Sequence, residues 1–244
     1  MQNGTEFVIK DASVICPACE YAFATPSLHT MPNLTADSPV EADLHRILPD
    51  PAARGALIAV CPACTYAWWI SAFAAHHFVP ELLVPAPPVE HSKKFGVAIV
   101  SGRKQKEPLL DMALLAMNGY WCAREEVAAG AGNPSEISRW LKLAVKELKA
   151  AMKDENWQAN TSRYNYLLGE LLRQSGEFHQ AVSYLQAVDR RSMLPKELVD
   201  HQIAEAKAGN AEPVMLPPHM VDQVFRLSPP IIELPEPEPT PISA

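Results

Sequence analysis

Aromatic residues make up only 7% of this 244-residue chain, so no aromatic-rich binding platform is advertised. Basic residues are scarce in the first 92 positions. There Lys10, Arg46 and Arg54 stand against Glu6, Asp11, Glu20, Asp37, Glu41, Asp43, Asp50, Glu81 and Glu90. A phosphate-binding surface needs the opposite sign. With a formal net charge of -7, binding to nucleic acid or to an anionic membrane surface is not expected. No long apolar run is present either. The greasiest stretch, Tyr66 to Ala86, is broken by His76, His77, Pro80, Glu81 and Pro85, which excludes a helical membrane span. The first residues lack a basic segment followed by an apolar one, so a secretory signal is not expected and the chain reads as cytoplasmic. Paired carboxylates, a Ser-His-Asp order and a Gly-rich phosphate loop are also missing, and the chain is not expected to be an enzyme.

Proline is nearly absent from the middle of the chain. Between Pro88 and Pro213 only Pro108, Pro134 and Pro195 occur. Proline breaks helix interiors, so helices can run there and not elsewhere. The 48% hydrophobic share is enough for a real core. The expected fold class is α+β in three parts. Residues 1–102 form a small, β-rich, zinc-ribbon-like domain with a long insertion, 103–210 a helical domain, and 211–244 a Pro-rich acidic tail. In the first part, Phe7–Ile15 and Leu57–Val60 are β-prone, and each runs into a cysteine motif. The interval from Thr25 to Gly55 reads as a long excursion with a short helix near Val40–Leu48, and Phe95–Val100 reads as one more strand.

What is present is a repeated octapeptide. CPACEYAF at Cys16–Phe23 returns as CPACTYAW at Cys61–Trp68. A C-x₂-C turn sets two sulfurs on one side of a tight loop, which is half of a tetrahedron. Two such turns supply all of it and leave no open position for water. In a reducing compartment this pattern favours metal over disulfide. Cys16, Cys19, Cys61 and Cys64 are therefore expected to hold one structural Zn²⁺. The 41-residue interval between the pairs is longer than usual finger spacing, but closing it costs only about 0.6 kcal/mol per doubling of length. The position after each second cysteine commonly needs positive φ and glycine, and here it holds Glu20 and Thr65. A thioredoxin-like redox dithiol is the alternative use of each CPAC. Adjacent His76 and His77 read as packing or surface residues, and Cys122 as core.

The helical part is well punctuated. Lys104–Val127 carries a helix pattern. Asn133-Pro134-Ser135-Glu136 reads as a cap, a first helical proline and a glutamate that reaches back. Ile137, Leu141, Ala144, Leu148 and Ala151 share a face. Thr161 is placed as the next cap, Gly176 as a turn, Pro195 as the opening of a last helix and Gly209 as its close. From Glu212 the periodic pattern stops, and PPIIELPEPEPTPISA reads as an extended tail with one apolar step, Ile231-Ile232, able to dock.

YNYLLGELLRQSGEFHQAVSYLQAV at Tyr164–Val188 resembles a tetratricopeptide repeat, with Gly169 and Ala181 at the close helix crossing and Gly176 in its turn. The order of parts from Cys16 to Gly209 resembles a bacterial family of unknown function that joins two CPxC knuckles to TPR-like helices. The resemblance implies zinc on the same four cysteines and no particular activity. The expected role is a zinc-stabilised protein–protein interaction or scaffold module, with a protein partner held by the TPR-like helices or the Pro-rich tail. The alternatives are a thiol redox protein and a nucleic-acid-binding ribbon. The latter rests on Lys93, Lys94, Arg103, Lys104 and Lys106, which read more simply as a solvated cluster.

Overall fold

Two antiparallel hairpins open the fold, and in each the turn is a CPAC. β1 (Val8–Ile15) pairs antiparallel with β2 (Ala22–Thr30), and Cys16–Cys19 lie in the turn between them. After a one-turn helix α1 (Pro51–Gly55), β3 (Ile58–Val60) pairs with β4 (Ala67–Trp69) around Cys61–Cys64. A two-residue strand, β5 (Ala74–Ala75), adds to the free edge of β1. The computed structural model describes residues 7–30, 38–76, 79–155, 157, 159–189 and 194–225. His77 and the acidic run after residue 225 lie outside the described residues.

Among the described residues seven α-helices follow: α2 (His91–Gln105), α3 (Leu109–Ala128), α4 (Pro134–Ala151), α5 (Thr161–Gln174), α6 (Phe178–Gln186), α7 (Lys196–Lys207) and α8 (Pro218–Phe225). The fold is α+β, with strands first and helices after. Among the described residues one apolar cluster runs from Val14 in β1 to Val224 in α8.

Several expectations are corrected. Phe95–Val100 is not a strand but the middle of α2. Six apolar residues fit either period; over fifteen residues Phe95, Ala98, Ile99 and Gly102 recur every three or four and are all buried. Trp68 packs where a Cβ on Gly102 would stand, only 2.5 Å away, so α2 lies directly against β4. The helix expected over Lys104–Val127 is two elements: α2 stops at Lys106, which is left-handed at φ 60°, and α3 starts after Pro108. Val40–Leu48 is not helical; Val40 bridges Arg46 across a tight turn. The short helix comes later, opened by Asp50, whose carboxylate accepts from Ala52 N, and by Pro51. Asn133 does cap α4, but Glu136 pairs with Arg139 at 3.2 Å instead of reaching back. Asn160, one residue earlier than expected, caps α5 through Arg163 N.

The chain past Glu212 also stays in contact with the body. Arg173, fully buried, is held by Glu170 and donates to Asn210 O and Glu212 O at 2.6 and 2.9 Å. Next, Ala42 N donates to Val214 O at 2.7 Å and Leu216 N to Val40 O at 2.8 Å. The amphipathic α8 then buries Val221 and Val224.

α5 and α6 turn back on each other at Gly176, φ 80°. They cross at Gly169, where an added Cβ would sit 2.6 Å from Leu185 Cγ and 3.3 Å from Ala181 O. Leu185 and Ala181 are fully buried, so neither can move aside freely. Gly169→Leu should therefore destabilise the fold by about 1–3 kcal/mol. Thermal melting beside the parent protein checks this, and equal Tm values would mean the two helices part without cost.

Candidate metal centre

The two knuckles make the same backbone hydrogen bonds. Cys16 N donates to Tyr21 O and Glu20 N to Cys16 O, at 3.0 and 2.8 Å; Cys61 N donates to Tyr66 O and Thr65 N to Cys61 O, at 2.8 and 3.0 Å. The strand registers match as well: Ile15 faces Ala22 just as Val60 faces Ala67. The repeated octapeptide is thus a repeated hairpin. Its closing aromatic residue points inward in both copies, with Phe23 fully buried and Trp68 nearly so. Phe73 lies between the hairpins, 5.9 Å from the Phe23 ring and 5.8 Å from that of Tyr66.

Both knuckles use the left-handed turn that glycine would favour. Glu20 has φ 60° and Thr65 φ 59°. The turn is therefore not distorted by the missing glycines; the side chains accept the strain. Thr65 bears more of it, because its β-branch crowds the backbone at positive φ. Its hydroxyl donates to Cys64 O at 2.6 Å in an exposed position where water can replace it. Thr65→Gly should raise stability by about 1 kcal/mol, read as a higher Tm. A lower Tm would show that the hydroxyl contact outweighs the backbone strain.

The hairpins face each other, and the four sulfurs converge. Cys16 Sγ lies 3.7 Å from Cys64 Sγ, and Cys19 Sγ 3.7 Å from Cys61 Sγ. All four sulfurs lie within 4.8 Å of one another. These are not disulfide lengths, which are near 2.05 Å. The four cysteines are positioned to bind one metal ion. Each knuckle gives one buried and one exposed thiol: Cys16 and Cys61 inside, Cys19 and Cys64 outside. Burial pushes the Cys16 thiol up to about 12, while the backbone hydrogen bond from Tyr21 draws Cys19 below the usual thiol value. A metal entering the cluster must displace protons from such thiols. His76 is not in the cluster; its backbone donates to Ser13 O beside β5. Cys122 is fully buried in α3, and burial raises its thiol further above the ordinary range.

A second group, Glu41, Asp43 and His45, also brings three ligand types within reach of each other. Its atoms are engaged by protein. His45 sets Nδ1 on Glu41 at 2.7 Å and Nε2 on Glu125 at 3.0 Å, and its ring stacks on Trp121 at 5.5 Å. Arg124 grips both oxygens of Glu41, and Trp121 Nε1 donates to Asp43. Arg54 donates to both oxygens of Glu125 at 2.8 and 2.9 Å and to Asn118 at 3.0 Å. Reasoning from sequence found none of this, because the partners lie as far as 83 residues apart.

This network is acid-sensitive. Burial alone would raise the Glu125 carboxyl, but Arg54 and His45 outweigh it and hold the group at about 2. Glu41 is lowered by His45 and Arg124 in the same way. A carboxyl depressed by folding stabilises the protein fully above its unfolded value, near 4.5, and the contribution vanishes as pH falls through 2. For Glu125 the loss is on the order of 3 kcal/mol. Stability should therefore decline between about pH 4.5 and 2. Denaturant titrations across that range should give a flatter slope for Glu125→Gln than for the parent, and parallel slopes would remove Glu125 from the account.

No family model, curated protein or solved structure matches the chain.

Proposed function

We propose that the chain is a zinc-stabilised protein–protein interaction or scaffold module without catalytic activity. The observation that carries this reading is the spacing of the sulfurs. Zinc bound to four thiolates at about 2.3 Å in a tetrahedron requires S···S edges of about 3.8 Å. Two of the four cross-knuckle separations are 3.7 Å, and all four sulfurs lie within 4.8 Å of one another. Cys16, Cys19, Cys61 and Cys64 would hold the ion, and it would tie together two hairpins with little core of their own. Four sulfurs close the coordination sphere and leave no position for an activated water, which favours a structural over a catalytic role.

The helices support the interaction part of the reading. α5 and α6 cross closely at Gly169 as the paired helices of a tetratricopeptide repeat do, which agrees with the resemblance of Tyr164–Val188 to that repeat and offers a helical face to a protein partner.

Protein purified without added zinc should carry about one zinc per chain, and a strong chelator should abolish the hairpins' β signal. Metal analysis and circular dichroism on the same sample check this. Metal-free protein with four reactive thiols and an unchanged spectrum would overturn the zinc reading. Affinity capture from native cells tests the partner, and a turnover that survives removal of every partner would overturn the non-catalytic reading.

A further inference from the structure

α2 and α4 leave a groove of about 430 Å³ between them. Its floor is apolar and includes Val100, Leu143 and Trp140. Val100 is 51% exposed. The rim is basic. Arg139, Lys142 and Lys146 are exposed and spaced three and four apart, so they stand on one face of α4. Arg139 leans on Glu136, while Lys142 and Lys146 make no ion pair among the described residues.

A row of cations over an aliphatic floor, in a chain of net charge -7, matches a ligand that is acidic and aliphatic at once. The chain carries such a segment. Pro229-Pro230-Ile231-Ile232-Glu233-Leu234-Pro235-Glu236-Pro237-Glu238 interleaves three aliphatic side chains with three carboxylates. A proline-spaced sequence has less conformational freedom to lose than a flexible one, which lowers the entropic cost of docking. The 13 residues from Arg226 to Glu238 span at most about 45 Å, and a fold of this length has a radius of gyration of about 18 Å, so the groove is within reach of the same molecule.

We propose that the groove between α2 and α4 is the docking site of the chain's own carboxy-terminal segment, residues 229–239, with its aliphatic side chains on the floor and its glutamates on Lys142 and Lys146. A nucleic acid would engage the rim and leave Val100 and Leu143 without a partner.

The test uses the full-length, metal-loaded protein at low concentration with a water-soluble carbodiimide, which condenses a carboxylate and a touching amine into an amide. Glu233, Glu236 or Glu238 should be joined to Lys142 or Lys146, as mapped by mass spectrometry. The double variant Ile231→Ser/Ile232→Ser keeps every charge and every reacting group, and it should lower the yield roughly fivefold or more. Val100→Asp should do the same from the groove side. Equal yields in all three proteins would reduce the contact to charge encounter and overturn the proposal. In a mixture of isotopically labelled and unlabelled protein, links should stay within one label; links found only between labels would overturn it in favour of a second copy. Submicromolar binding of a generic oligonucleotide without any tail links would overturn it in favour of nucleic acid. Zinc content on the same samples tests the preceding reading separately, so either can fail alone.

Discussion

The carboxylate of Glu125 is where the strand-rich and helical parts are joined. It sits in the last turns of α3 and accepts from Arg54 Nε and Nη2, from Leu48 N and from His45 Nε2. Those donors come from the excursion between the knuckles and from α1. An ionised carboxylate with 2% of its side chain exposed is tolerable only because its hydrogen-bonding capacity is so fully used. The excursion is therefore no slack loop between zinc-binding turns. Arg54 spreads over the Trp121 ring at 5.4 Å, Arg124 holds Glu41, and Tyr166 of α5 donates to Ala42 O at 2.7 Å, so three helices take hold of the same few residues.

The two hairpins repeat one another as closely in space as in sequence. Equivalent strand residues pair, equivalent amides bond to equivalent carbonyls, and equivalent residues turn left-handed. Facing each other, they bring both pairs of sulfurs together from opposite sides. The surroundings then diverge. Trp68 is pressed onto Gly102 of α2 and Ala67 N donates to Ser101 Oγ, whereas the first hairpin has a longer β2 and takes β5 on the edge of β1. The second hairpin is thus anchored on α2, while the first meets the second through Phe73 and packs against α1 through Leu28.

What could be read from sequence was local, and what could not was long-range. A turn with two cysteines, a capping asparagine before Pro134 and a glycine at Gly176 each depend on a few neighbouring residues, and each stands where the pattern placed it. The positive φ at Glu20 and Thr65 was legible as a demand of the knuckle, although the residue types argued against it. FGVAIV failed because six apolar residues carry no period, and the helix becomes visible only with the polar residues on either side. Lys94 was misread as part of a solvated cluster. It is buried, with its ammonium on Gly55 O at 3.3 Å, and nothing adjacent to it in sequence announces a carbonyl 39 residues away. The Glu41–His45–Glu125 network escaped for the same reason. Charged residues in a Pro-rich interval look like solvent-facing loop until the helix that answers them is folded.

The backbone pairing of residues 40–42 with 214–216 ties together stretches of chain more than 170 residues apart. During synthesis, a ribosome releases the first long before the second exists. The turn at Val40–Arg46 can form early, and the sulfurs can meet once the second knuckle has emerged. The amide of Ala42 and the carbonyl of Val40 nevertheless lack these backbone partners until residues 214–216 have been made. Closure of the amino-terminal part thereby waits for residues 214–216, and it is completed when one short strand-like segment is laid across a loop made much earlier.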